Sequence, residues 1–199
     1  MIHSNFMMWT ISIVGGFLSG TIMYCWIIPK MILNKDICVL STDHNPGAAN
    51  VFKTCGVSWG LLCLFLDMLK GYLPVRIACQ YLDIKNLWFS VVLAAPVLGH
   101  AVGSFHHCRG GKCIATAFGS TLGLIFVEPI VILLAILYIL FSTLIKIEPH
   151  RVRSILTFGL FGILSFFILS YKNEDSIAVG CALISLIAIC KHTKHFSEC

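Results

Sequence analysis

Long apolar segments with few charged residues dominate this chain and limit it to a helical membrane fold. Of its 199 residues, 58% are hydrophobic and only 12% are charged, whereas soluble domains carry about 25% charged residues. A segment of about 20 apolar residues spans a bilayer as a helix, because a helix satisfies its own backbone hydrogen bonds. We therefore predict an all-α, polytopic membrane helical bundle of about seven transmembrane helices. The predicted spans are roughly 7–29, 55–75, 87–104, 114–128, 129–147, 154–171 and 176–190.

Two boundaries in this pattern carry specific expectations. The dipeptide Glu128-Pro129 divides one long apolar run, and proline disfavours helix at the residue before it, which suits a tight turn between two short spans. Without that break the count falls to six. The first lysine is Lys30, so the chain lacks the basic region of a signal peptide, and we expect span 7–29 to be an uncleaved helix.

The distribution of Lys and Arg predicts the orientation of the bundle. With seven spans, ten of the 14 basic residues fall in the loops 30–54, 105–113 and 146–153 and in the tail 191–199. Loops rich in Lys and Arg remain in the cytoplasm, which predicts the N-terminus outside and the C-terminus in the cytoplasm. The net charge of +5 is modest and does not indicate nucleic-acid binding.

A polar island, DHNPGAAN, interrupts the apolar pattern at residues 43–50. Pro46 and Gly47 favour a defined turn, and the small alanines leave backbone N–H groups uncovered. The side-chain amides of Asn45 and Asn50 can donate or accept hydrogen bonds. Such a loop can hold a small polar ligand at a membrane surface.

A second polar segment is centred on Arg109-Gly110-Gly111-Lys112. Glycines allow the backbone to approach a ligand and to expose N–H groups, the flanking cations add charge, and a helix N-terminus follows directly. These are the elements of a phosphate site, although the spacing is not that of a Walker A loop. A basic turn that anchors a helix to anionic lipid has the same composition, and both interpretations remain open.

The remaining polar groups support simpler interpretations. The histidines and cysteines of segment 100–113 lack the spacing of a metal site, and most of the ten cysteines are expected to be structural. Lys191 to His195 is expected to be a basic anchor at the cytoplasmic end of a span, with His192 and His195 on one helical face. Asp67 and Lys70 are expected to form an ion pair near the outer end of their helix.

Together, these segments resemble the bacterial acyl-phosphate:glycerol-3-phosphate acyltransferases of the PlsY type. NPGAANVFK is similar to a family loop, Ser-Gly-Asn-Pro-Gly-Ala-Thr-Asn, that is followed by Arg. Asp67, Lys70, Gly71 and Pro74 match a D-x-x-K-G-x-x-P stretch. GHAVGSFHHCRGGKCIAT resembles the motif centred on Gly-Gly-Lys-Gly, and KHTKHF resembles a shortened His-Arg-x-Asn-Ile motif.

The resemblance implies a single integral membrane acyltransferase domain over residues 1–199. It implies transfer of a fatty acyl group from acyl phosphate to the sn-1 hydroxyl of glycerol 3-phosphate, which gives lysophosphatidic acid and phosphate in phospholipid biosynthesis. The implied partners are acyl phosphate, glycerol 3-phosphate and membrane lipid, with no cofactor, metal or nucleic acid. The implied location is the bacterial cell membrane, with the active site facing the cytoplasm.

The resemblance also implies the residues that carry the reaction. The expected catalytic residues are Asp43, Lys53, Lys112 and His192. The expected substrate-binding residues are Asn45, Gly47, Ala48, Asn50, His100, Arg109, Gly110, Gly111 and His195.

Several positions depart from the family pattern. Asp43 stands where the family carries serine and is followed by His44, while Lys53 replaces an arginine and His195 an asparagine. Asp43 is interpreted as a general base, or as a residue that positions the acceptor while paired with Lys53 or His192; unpaired, it would repel phosphate. The alternative function is a catalytically diverged membrane protein that binds a phospholipid or phosphorylated metabolite.

Overall fold

The computed structural model describes residues 2–103 and 110–193, and within these ranges the regular structure is entirely helical. The helices are α1 (Ile2–Thr21), α2 (Tyr24–Leu33), α3 (Ile37–Leu40), α4 (Ala48–Cys55), α5 (Val57–Tyr81), α6 (Trp88–Val102), α7 (Ile114–Leu122), α8 (Val131–Ile139), α9 (His150–Tyr171) and α10 (Asp175–Thr193). A π-helical turn, Leu140–Leu144, continues α8.

The helices pack into one bundle with α6 near its centre. Helix α6 lies against α1 and α10, α10 packs along α9, and α5 packs against α4 and α7. Small residues allow the close contacts: a side chain at Gly20 would meet the backbone carbonyl of Pro96, and one at Gly119 would meet that of Met68. Helices inside membranes commonly associate through such small residues, because backbone-to-backbone packing replaces the hydrophobic driving force.

The predicted single helix at 7–29 is wrong, because two helices occupy this segment. Helices α1 and α2 meet at a bend of 43°. The buried ammonium of Lys70 donates a hydrogen bond to the carbonyl of Ile22 at this break. The break is therefore stable because a cation from another helix satisfies a carbonyl that helix geometry no longer pairs.

The break predicted at Glu128-Pro129 is confirmed, since α7 ends at Leu122 and α8 begins at Val131. In the described part of the chain, α9 and α10 are long and apolar enough to span a membrane. The bent pair α1 and α2 provides a third such element if it is taken as one span. Seven spans and the orientation of the termini remain predictions.

Candidate active site

A cavity of about 670 Å³ lies between the 43–50 loop, α4, α5 and the first residues of α7 and α9. Much of its lining is apolar, with Phe52, Leu64, Met68 and Phe118 among the contributing side chains. The polar lining residues are Asp43, Asn45, Asn50, Lys53, Asp67, His100, Lys112, Tyr138, His150 and Arg151, and Gly47 and Ala48 also contribute. The cavity can therefore accept a molecule with both an apolar and a polar part.

The 43–50 loop is held in shape by its own side chains. The amide of Asn50 donates to Oδ1 of Asp43 at 2.7 Å and to the carbonyl of Asn45 at 2.8 Å. Gly47 is the extended residue from which α4 begins. Both asparagines, Gly47 and Ala48 lie where the sequence suggested, along one wall of the cavity.

An ion pair connects this loop to the Gly-Gly-Lys segment. Nζ of Lys112 lies 2.6 Å from Oδ2 of Asp43. Partial burial alone raises the pKa of the Asp43 carboxyl, but hydrogen bonds from Lys112 and Asn50 and the charge of Lys112 outweigh burial, and the pKa is lowered. The predicted pairing of Asp43 with Lys53 or His192 is therefore wrong, because Lys112 takes that position.

Gly110 and Gly111 position Lys112 by packing against the end of α6. The N–H of Gly111 donates to the carbonyl of His100 at 3.0 Å, and a side chain at Gly110 would collide with the carbonyl of Ala101. Gly111 was expected to bind substrate, but its backbone N–H already donates a hydrogen bond within the protein. Helix α7 begins at Ile114, two residues after Lys112, and its first residues line the cavity.

Two buried histidines have nitrogens without a hydrogen-bond partner among the described residues. His100 lines the cavity with a side chain that is only 4% exposed, and its Nδ1 is the atom concerned. His192 is 1% exposed; Nδ1 bonds to the carbonyl of Ala188 at 2.8 Å, and Nε2 is the unpartnered atom. Buried polar atoms of this kind are usually satisfied by water or a ligand.

Among the polar residues of the cavity, Tyr138, His150 and Arg151 were not selected from the sequence. The ring of His150 lies nearly parallel to that of His192, with centroids 6.5 Å apart. Arg151 donates to the carbonyl of Thr193 at 3.1 Å. The only sequence signal for His150 and Arg151 was a basic stretch before a span, which is also typical of membrane anchoring, and Tyr138 lies within an apolar segment.

The ion pair predicted between Asp67 and Lys70 is confirmed, with Nζ 2.8 Å from Oδ1. Its predicted position near the outer end of the helix is wrong. Asp67 lies close to the middle of α5 and lines the cavity. Its Oδ2 accepts a hydrogen bond from the thiol of Cys25, so the carboxylate is held on two sides. Arg109 and His195, also selected from the sequence, lie outside the described residues.

Comparisons with known proteins bear on the family to which this chain belongs. Residues 10–199 match the model of the family described as glycerol-3-phosphate acyltransferase. A glycerol-3-phosphate acyltransferase of Maridesulfovibrio salexigens is 31% identical over 91% of this chain and 88% of its own length. One from Macrococcus caseolyticus is 31% identical over 92% of this chain and 88% of its own length.

The fold is similar to a crystal structure of PlsY (YgiH), an integral membrane glycerol 3-phosphate acyltransferase, in its glycerol 3-phosphate form. The TM-score is 0.78 at 24% identity, over 96% of this chain and 90% of the other. The lysophosphatidic acid form gives a TM-score of 0.75 with the same coverage. The all-helical membrane fold is thus shared. Because the family model covers nearly the whole sequence, this chain belongs to the glycerol-3-phosphate acyltransferase family and is an acyltransferase.

Proposed function

We propose that the protein transfers a fatty acyl group from acyl phosphate to the sn-1 hydroxyl of glycerol 3-phosphate. The observation that carries this proposal is the mixed lining of one cavity, which includes the cations of Lys53 and Lys112 and the apolar rings of Phe52 and Phe118. Both substrates carry phosphate, which the cations can hold. The acyl chain can lie along the apolar side chains and remain within the bundle.

The reaction needs positioning and charge stabilisation more than strong acid–base chemistry, because acyl phosphate is an activated mixed anhydride. The acceptor hydroxyl oxygen attacks the acyl carbon, the bond from that carbon to the phosphate oxygen breaks, and the hydroxyl proton passes to the released phosphate. Lys112 stabilises the negative charge that develops. We propose that Asp43 orients Lys112 and the acceptor hydroxyl, since a carboxylate with a lowered pKa is a weak base.

The proposal also covers the domain organisation, the cellular location and the further substrate-binding residues that the sequence indicates. The chain forms one domain in the bacterial cell membrane, and the cavity opens towards the cytoplasm. Gly47 and Ala48 contribute backbone contacts, while His100 and His192 contribute imidazole groups. Arg109 and His195 join the substrate-binding set on sequence grounds.

The test is lysophosphatidic acid formation by the purified protein, with acyl phosphates of several chain lengths. We expect phosphate release and lysophosphatidic acid only when glycerol 3-phosphate is present. Lys112→Ala should lower kcat/KM by about a hundredfold or more, as removal of one charge-stabilising donor does in other enzymes. Lys85→Ala is the matched control, because Lys85 is an exposed lysine that does not line the cavity.

Folded protein that binds glycerol 3-phosphate but forms no lysophosphatidic acid at any chain length would overturn the proposal. That result would support the alternative, a diverged protein that binds a phospholipid or phosphorylated metabolite. Recovery of activity in an Asp43→Ser, Lys53→Arg double variant would then identify the two departures as the cause.

A further inference from the structure

His150 is the first residue of α9, and its ring reaches the cavity next to Tyr138. The Tyr138 hydroxyl lies 3.4 Å from Nε2 of His150. If the hydroxyl donates this bond, Nε2 is the acceptor and the imidazole proton lies on Nδ1. In the described part of the chain no residue hydrogen-bonds to Nδ1, so this nitrogen can donate to a ligand in the cavity.

The adjacent His192 does not line the cavity, but its ring stacks on that of His150 with centroids 6.5 Å apart. A backbone carbonyl can only accept, so the bond from His192 to Ala188 places a proton on Nδ1 of His192. The other ring nitrogen, Nε2, is buried without a partner among the residues described, and in the neutral ring it is an acceptor, which complements a donor such as a ligand hydroxyl and not a phosphate oxygen. Leaving such an atom unsatisfied is unfavourable, and a ligand or an ordered water normally completes it.

The charges around this pair favour an anion. Lys53, Lys112 and Arg151 line the cavity together with the carboxylates of Asp43 and Asp67. Asp67 is paired with the buried Lys70, so the cations in and around the lining outnumber the carboxylates. A phosphate group, which offers only acceptor oxygens when it is a dianion, complements donors of this kind.

We propose that His150 is a phosphate-contacting residue of this enzyme, that it acts through Nδ1–H, and that Tyr138 positions it by donating to Nε2. The inference deepens the proposed function, on which it rests. The phosphate comes either from the acceptor, glycerol 3-phosphate, or from the donor and the inorganic phosphate that the donor releases. In metal sites, a hydrogen bond to one imidazole nitrogen fixes the tautomer and the orientation of the ring. Tyr138 has the same effect on His150, so that Nδ1–H is held ready to donate to the phosphate.

The two imidazole nitrogens can be tested separately by substitution. Asparagine at position 150 places an amide donor near the position of Nδ1, glutamine places one near Nε2, and alanine removes both. We expect His150→Ala to raise the KM for one phosphate substrate by about tenfold, the effect of losing one hydrogen bond to a charged group. His150→Asn should recover most of this loss and His150→Gln little of it, while Tyr138→Phe should raise the same KM by a few fold.

Separate titrations identify the source of the phosphate. A raised KM for glycerol 3-phosphate alone assigns His150 to the acceptor. A raised KM for acyl phosphate, with weaker inhibition by inorganic phosphate, assigns it to the donor. Lys85→Ala is again the control, because Lys85 is exposed and does not line the cavity.

The proposal is overturned if His150→Ala leaves both KM values and phosphate inhibition within twofold of wild type. It is also overturned if the variant only lowers kcat and the unfolding temperature, with no recovery in His150→Asn, because that pattern is structural. If the wild-type protein shows no turnover, the proposed function is overturned, but the inference about His150 is not. Calorimetric titration of wild type and His150→Ala with inorganic phosphate then decides the inference: about tenfold weaker binding in the variant supports it, and equal or no binding overturns it.

Discussion

Two aspartate–lysine pairs of similar length lie in very different surroundings. Asp67 and Lys70 are one helical turn apart, with side chains that are 2% and 1% exposed. Asp43 and Lys112 are 69 residues apart, and their side chains are 35% and 22% exposed. The first pair is excluded from water and lies within one helix. The second pair joins two loops at a cavity that is partly exposed to solvent.

The difference separates a structural role from a chemical one. Lys70 also donates to Ile22 at the α1–α2 break, and Asp67 also accepts from Cys25. Every change in this pair therefore alters the packing of three helices. Lys112, by contrast, can leave Asp43 and bind a substrate oxygen. Neither charge is then left buried without a partner, because both side chains are partly exposed to water.

The largest expected effect comes from breaking the buried pair. Asp67→Asn leaves the Lys70 ammonium buried without its counter-ion, which costs about 3–5 kcal/mol when one partner of a buried pair is removed. We expect a correspondingly lower free energy of unfolding. Denaturant-induced unfolding in detergent micelles measures it, with tryptophan fluorescence as the signal.

The double variant Asp67→Leu, Lys70→Met is the matched control for this prediction. It removes both charges and keeps the side-chain volume, so it should recover part of the lost stability; the remaining loss reflects the missing hydrogen bonds to the Ile22 carbonyl and from the Cys25 thiol. A single variant that costs less than about 1 kcal/mol would show that Lys70 does not depend on Asp67.

The sequence predicted the local features of this molecule better than the long-range ones. The Asp67–Lys70 pair and the Glu128-Pro129 break depend on neighbours in the chain, and both were found. The α1–α2 bend depends on Lys70, which is 48 residues away from Ile22, so segment 7–29 alone gives no sign of it.

The same limit applied to the site. The loops around Asp43 and Lys112 were recognisable as polar segments, but the partner of Asp43 was not, because several basic residues were available and only the fold selects Lys112. His150 was overlooked for a related reason. Its basic neighbours are typical of a membrane anchor, and only the positions of Tyr138 and His192 distinguish it.

A smaller effect is expected from neutralising the exposed pair at Asp43. Asp43→Asn keeps the side-chain shape and one acceptor oxygen, but it removes the charge and the second acceptor, so the hydrogen bonds from Asn50 and Lys112 cannot both be kept. We expect kcat/KM to fall by about tenfold, the range of one lost charge-assisted hydrogen bond. A loss of about a thousandfold or more would contradict the orienting role and assign Asp43 as a general base. Initial-rate measurements of lysophosphatidic acid formation distinguish the two outcomes.

A third pair, Lys30 and Asp36, extends the comparison to the surface. Its atoms are 3.1 Å apart, and the side chains are 46% and 30% exposed. Lys30→Gln should change the free energy of unfolding by no more than about 1 kcal/mol, because water and salt screen such pairs. Micelle unfolding at low and high salt tests this. A cost as large as that of Asp67→Asn would mean that burial does not govern these pairs.

The smallest expected effect is that of pH on the Asp43 carboxylate. Its pKa is lowered, so the stabilisation it provides is fully present above the unfolded value of about 3.9 and is lost only as the pH falls through the lowered pKa. Between about pH 5 and 8 the carboxylate should therefore remain ionised. Infrared difference spectra of wild type against Asp43→Asn report the carboxylate band directly. Loss of that band by about pH 5 would show that Lys112 does not hold Asp43 ionised. The Asp43–Lys112 pair could then not be contrasted with the Asp67–Lys70 pair as an ion pair in partly exposed surroundings.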